Sequence, residues 1–132
     1  MYKKITYAAT HCLLFLIVIG LSHAEEGIDH NEVKISFTGN TIEGKIIKRD
    51  TSYKMYLHPS GKQIRLDSKD RLEKGTWYIN SDNELCLTFD SEECYTINKR
   101  SEGQFDLHNQ NGGLELTIVK VILGNPDKMN PL

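Results

Sequence analysis

Beyond the first 24 residues the chain holds two cysteines, Cys86 and Cys94, and three histidines, His30, His58 and His108. These residues decide most of what chemistry is open to it. The cysteines lie in GTWYINSDNELCLTFDSEEC, in one strand phase and equidistant from Asp90. A hairpin folded about Asp90 sets them opposite one another, at the separation a disulfide needs. The histidines form no i, i+4 pair and have no cysteine at zinc spacing, so they read as surface histidines and no metal site is expected. Asn80 to Glu84 is rich in oxygen but lacks a calcium-loop pattern, and a hairpin turn needs the same residues. No Gly-x-Ser-x-Gly elbow and no phosphate-cradling glycine loop occur, so no catalytic residue and no cofactor is expected. Glu92-Glu93 and Asp67-Asp70 are the nearest thing to paired carboxylates. Both pairs read as solvated charge in connections.

One contact surface is left. Tyr56, His58, Arg65, Tyr78 and Thr88 fall on strand faces opposite the main apolar set. Tyr56, Arg65 and Tyr78 are the candidate binding residues, an amphipathic mixture suited to a ligand or partner. The plainer reading is that such tyrosines stabilise cross-strand pairs.

The elements that position these residues are short strands. Tyr53, Met55 and Leu57 share one face. After the turn His58-Pro59-Ser60-Gly61, Ile64 and Leu66 read as inward, Gln63 and Arg65 as outward. Trp77 and Ile79, then Leu85, Leu87 and Phe89, then Tyr95 and Ile97 continue the pattern. Trp77, Leu85, Leu87, Phe89, Tyr95 and Ile97 are the expected core. NQNGG at 109–113 is a hairpin turn, and Leu114 to Leu123 reads as a strand covered on both faces. Val33, Ile35 and Phe37 alternate as in a strand, yet Asp29 with Glu32 forms a capping box that would open a helix. Turns every 8 to 12 residues predict an all-β antiparallel meander of seven or eight strands, a small barrel or curled sheet, with a short N-terminal helix as an option.

Residues 1–24 read by pattern as a secretory signal peptide cleaved after Ala24, with an uncleaved anchor as the alternative. Lys3 and Lys4 precede the apolar run CLLFLIVIGL, and Ser22-His23-Ala24 ends it. Cys12 leaves with it. The expected organisation is then a lead-in at 25–32, one β domain at 33–124 and a tail at 125–132. Removing Lys3 and Lys4 leaves 14 basic against 18 acidic residues, a net charge of −4. Nucleic acid and, after cleavage, membrane are not expected partners. The expected setting is periplasmic or extracellular, where a disulfide persists.

Gly39-Asn40-Thr41 with Gly44, Tyr56 with Pro59 and Gly61, Gly75-x-Trp77, and Cys86 with Cys94 together resemble a family of small exported bacterial proteins that carry a domain of unknown function. The resemblance covers roughly residues 33–124. It implies export, an all-β domain and a disulfide, and it supplies no activity or catalytic residues; the segment before Gly-Asn-Thr looks helical in that family. The Gly-x-Trp is also similar to that of lipocalins, where it lies near the N-terminus, so that likeness extends to architecture only.

Three functions follow as expectations. The first is a non-catalytic binding module for an apolar or amphipathic ligand. The second is an envelope protein-partner or inhibitor module working through the Tyr/Arg surface. The third is an envelope enzyme. The disulfide yields the first prediction. Replacing Cys86 and Cys94 by serine should cost about 2–4 kcal/mol without changing the fold, read by denaturant titration. A free-thiol assay that finds both cysteines reactive on native exported protein would defeat the pairing.

Overall fold

The computed structural model describes residues 28–132; the segment expected as a signal peptide, with its expected cleavage site, lies outside them. The chain opens with helix α1 (His30–Phe37) and continues into β1 (Thr41–Ile46), a single 3-10 turn (Ile47–Arg49), β2 (Thr51–Leu57), β3 (Lys62–Asp67) and β4 (Leu72–Ile79). It then runs through β5 (Leu85–Thr88), β6 (Glu92–Ser101), β7 (Gln104–His108) and β8 (Leu114–Ile122). Each strand pairs antiparallel with the next, and β8 pairs with β1, so the meander closes into an eight-stranded barrel.

The ambiguity at 33–37 is resolved as helix, and the segment expected as lead-in supplies its start. Asp29 Oδ1 accepts the Asn31 N–H at 3.2 Å as N-cap. Glu32 bonds Lys99 at 2.6 Å, across to β6. Val33 and Phe37, four apart, bury one face, while Ile35 stays 75% exposed. A strand would have put all three on one side. Phe37 meets Phe105 edge to face at 5.3 Å, and His30 Nδ1 bonds Asn83 Oδ1 at 2.7 Å. The helix therefore lies across one end of the barrel and stops it with apolar side chains.

The hairpin about Asp90 has the expected register: Leu85 faces Tyr95 and Cys86 faces Cys94, which are joined as a disulfide. Trp77, Leu85, Leu87, Tyr95 and Ile97 are buried, with Phe89 packed against them at the rim of the core. The Trp77 indole N–H donates to His58 O at 2.9 Å.

Strand β3 is inverted with respect to the sequence reading. Its partners are Leu57 with Gln63, Met55 with Arg65 and Tyr53 with Asp67. Residues directly opposite one another share a face, so Gln63, Arg65 and Asp67 point into the barrel, and Ile64 and Leu66 point out. Ile64 is nevertheless only 3% exposed. Residues 125–132, expected as a tail, form a strap over that outer wall. Lys54 Nζ bonds Asp127 at 3.2 Å, Lys74 Nζ reaches the Leu132 main-chain oxygen at 3.4 Å, and Pro131 is buried. β8 is not covered on both faces either. Val119 is 50% exposed, and the strand ends at Ile122 with Leu123 open to solvent.

Closure rests on one glycine. A Cβ on Gly44 would lie 1.6 Å from Thr117 O, beside the register shift between β1 and β8. Gly44→Ala should therefore destabilise by about 3 kcal/mol or more, at or above the upper range for overpacking, because the obstacle is backbone that cannot rotate away. Thermal melting followed by near-UV dichroism measures this, and an unchanged Tm would refute the closure contact.

Candidate functional site

The end of the barrel away from α1 carries the connections at 47–50, 68–71 and 89–91 and forms a mouth. A cavity of about 190 Å³ opens there, lined by Arg49 from the 3-10 turn, Asp90 and Ser91 from the β5–β6 turn, and inward side chains of β3 to β6. Leu87 and Phe89 give it apolar walls; Arg65, Glu73, Glu93 and Tyr95 give it polar ones.

Each charged group is held by the register. Arg65 sits opposite Glu73 across β3 and β4, and its Nε and Nη2 both donate to Glu73 Oε2, at 3.0 and 2.5 Å. Nη1 has no protein partner among the described residues. The guanidinium carbon lies 4.2 Å from the centroid of the Phe89 ring, a cation–π contact. Arg65 is 8% exposed, so pairing and ring together offset much of the cost of taking its charge out of water. Tyr95 donates its hydroxyl proton to Glu93. Burial, then that bond, push the Tyr95 pKa far up. Tyr53, whose O–H donates to Thr117 O at 3.0 Å, is raised by burial as well. Both phenols therefore stay protonated and act as donors.

Beside the mouth, Asp67 is 4% exposed and accepts from the Lys69 and Arg71 N–H groups at 2.9 and 3.0 Å and from Arg71 Nε at 2.6 Å. It is not the solvated charge that the sequence reading expected. Two residues before Arg65 on the same face, Gln63 is fully buried, and neither its amide nitrogen nor its amide oxygen has a hydrogen-bond partner among the described residues.

The three candidate binding residues do not form one surface. Tyr56 is on the outer wall against His58, with ring centroids 5.9 Å apart. Tyr78 is outside beside the disulfide, 46% exposed, with its pKa raised by Glu92. Arg65 alone is at the mouth, on the other side of the wall. His58 and Thr88 belong to the outer side too. The remaining histidines are tied locally, His30 to Asn83 and His108 to Asn98. Asn80 Oδ1 spends itself on the N–H groups of Asp82 and Glu84, closing the β4–β5 turn. No cluster of three or more histidine, cysteine, aspartate or glutamate side chains placed to hold a metal occurs among the described residues. Glu92 and Glu93 point to opposite faces, so they are not paired.

Sequence reasoning missed Gln63, Glu73 and Glu93. A signal was present: positions 57 and 63 are equidistant from Ser60, as 86 and 94 are from Asp90. That symmetry places Gln63 on the face of Leu57.

Larger hollows lie on the outside of the barrel. One of about 500 Å³ runs between α1 and β8 past Ile35, Val119 and Leu123. Another, of about 300 Å³, lies over β1 to β3 and reaches the buried Asp67. A further one, of about 240 Å³, lies between α1 and the β2–β3 turn, beside Trp77 and Tyr78. None of these brings a buried arginine together with carboxylates as the mouth does.

The fold and site define a closed eight-stranded barrel, stopped at one end by a helix and lined with charge at the other. No protein-family model matches the chain, and no curated protein matches it.

Asp67 provides a pH test. Burial alone would raise its carboxyl, but the Arg71 and Lys69 N–H groups and the Arg71 guanidinium outweigh it and hold the pKa below its ordinary value. A depressed carboxyl contributes stability above the unfolded pKa and loses it as pH falls through the folded one. Asp67→Asn should therefore lower Tm at neutral pH. The gap from the wild type should close as the pH drops through and below the carboxylate range. A gap that persists at low pH would refute it.

Proposed function

We propose that this protein is an exported, non-catalytic binding module that takes an amphipathic ligand at the mouth of its barrel. The observation that carries this reading is Arg65, set inward by β3, with Nε and Nη2 spent on Glu73 and Nη1 without a hydrogen-bond acceptor among the described residues. Barrel mouths with a few convergent polar groups over apolar walls are favoured ligand sites. The polar head meets Arg65, and the adjoining apolar atoms lie on Leu87 and Phe89. A volume of about 190 Å³ accommodates roughly six water-sized groups at ~30 Å³ each. The site holds the head and first atoms of a ligand, and the rest lies over the rim near Arg49. The disulfide-linked cysteines, the leader pattern and the resemblance to exported proteins support export. Protonated tyrosines and oxidised cysteines favour binding over nucleophilic chemistry.

A protein partner is the second reading. The exposed apolar residues Ile35, Val119 and Leu123 around the α1–β8 hollow favour it.

Native mass spectrometry of protein purified from its own envelope should show a bound small molecule. Arg49→Ala and Phe89→Ala should each weaken its retention about tenfold, equivalent to ~1.4 kcal/mol, with the barrel intact by circular dichroism. Retention unchanged in both variants would overturn the mouth as the site, and a co-purifying protein in place of a small molecule would shift the reading to the second.

A further inference from the structure

Resting on the mouth-site reading, we propose that Gln63 is the inner recognition residue and that the ligand head is a neutral donor–acceptor group of the carboxamide type. The starting point is an energetic anomaly. The Gln63 side chain is fully buried, and both its Nε2 and Oε1 lack partners among the described residues. A buried amide left unpaired is costly, and an apolar residue of similar size would avoid that cost. Groups kept in this state mark places where another requirement outweighs stability.

The surroundings show where the amide faces. Gln63 precedes Arg65 on the same inward face and sits opposite Gly75 on β4. The point where a Gly75 Cβ would lie is 2.8 Å from Gln63 Nε2 and 1.9 Å from Thr88 O. Gly75 is therefore what leaves room for the amide, and the amide comes up beside Thr88. Thr88 stands between Leu87 and Phe89, two walls of the cavity. Gln63 does not itself line the cavity; it stands one inward position deeper along β3 than Arg65, which does, so a head group reaches the amide by passing the Arg65 guanidinium.

The chemistry of the head follows from the groups on offer. Gln63 presents an NH2 group as donor and a carbonyl oxygen as acceptor. Arg65 Nη1 is a donor, and the Glu93 carboxylate is an acceptor. A planar group with an oxygen for Gln63 Nε2 and Arg65, and an N–H for Gln63 Oε1 or Glu93, matches all of them. A carboxylate would lack the donor and would face Glu73 and Glu93. An ammonium would lack the acceptor and would face Arg65. A carboxamide satisfies the set with no net charge.

The test compares hexanamide, hexanoate and hexylammonium by ligand-observed NMR on the disulfide-intact protein, with Gln63→Leu and Gln63→Met as variants. Hexanamide should bind most tightly. Both variants should raise Tm, by about 4 °C or more, and weaken hexanamide at least tenfold. That combination would not arise if Gln63 served only the fold. Preference for hexanoate or hexylammonium would overturn the carboxamide head. Unchanged hexanamide affinity in either folded variant would overturn the role of Gln63. In both cases dependence on Arg49 and Phe89 would leave the mouth site standing. No binding of any of the three probes to the wild type would overturn this inference, while retention of the native ligand, read by mass spectrometry, would judge the mouth site separately.

Discussion

The closure of β8 onto β1 is the contact on which the rest of the architecture depends. At Gly44 the two backbones approach so closely that no side chain fits between them. The bulge there lets β8 bend around to meet the first strand. Closure leaves no strand edge unpaired. It also fixes how many inward positions there are and which residues occupy them. With the wall complete, only the two ends of the barrel can differ.

They differ in chemistry. At one end α1 inserts Val33 and Phe37 against Phe105, and the Trp77 indole anchors to the β2–β3 turn. At the other, the interior becomes polar in steps, from Gln63 to Arg65 with Glu73 and then Asp67 with Arg71. An interior this small cannot hydrate such groups freely, so each must be met by the protein or by something bound. Arg65 is met by Glu73 and the Phe89 ring, and Asp67 by two main-chain N–H groups and Arg71. Gln63 is the exception, with no hydrogen-bond partner for its amide among the described residues.

The strap at 125–132 makes this arrangement compatible with a stable wall. By covering the outside of β2 to β4, it shelters Ile64, which would otherwise be an apolar side chain facing water. The outward apolar residues of β3 and its inward polar ones are two sides of one arrangement. Tyr56 lies on the same outer wall, against His58.

The sequence by itself determined the strands, their turns, the all-β class and the Cys86–Cys94 hairpin, because period-two alternation and turn residues are local signals. Pairing symmetry about Asp90 added the register of that hairpin. It left Val33 to Phe37 open, since three apolar residues at i, i+2 and i+4 fit a strand, and i with i+4 fits a helix. The tertiary structure decided for the helix because the open barrel end buries Val33 and Phe37 and has no place for Ile35. It also decided which face of β3 is inside. Alternation tells that two faces differ and not which one meets the core, and the apolar face of β3 found its cover outside, under a segment far along the chain, whose bonds to the wall span 58 and 73 residues. The candidate site followed from that choice. Arg65 was legible as a candidate binding residue, but Gln63, Glu73 and Glu93 join it only when the register of β3 to β6 turns them into one lumen.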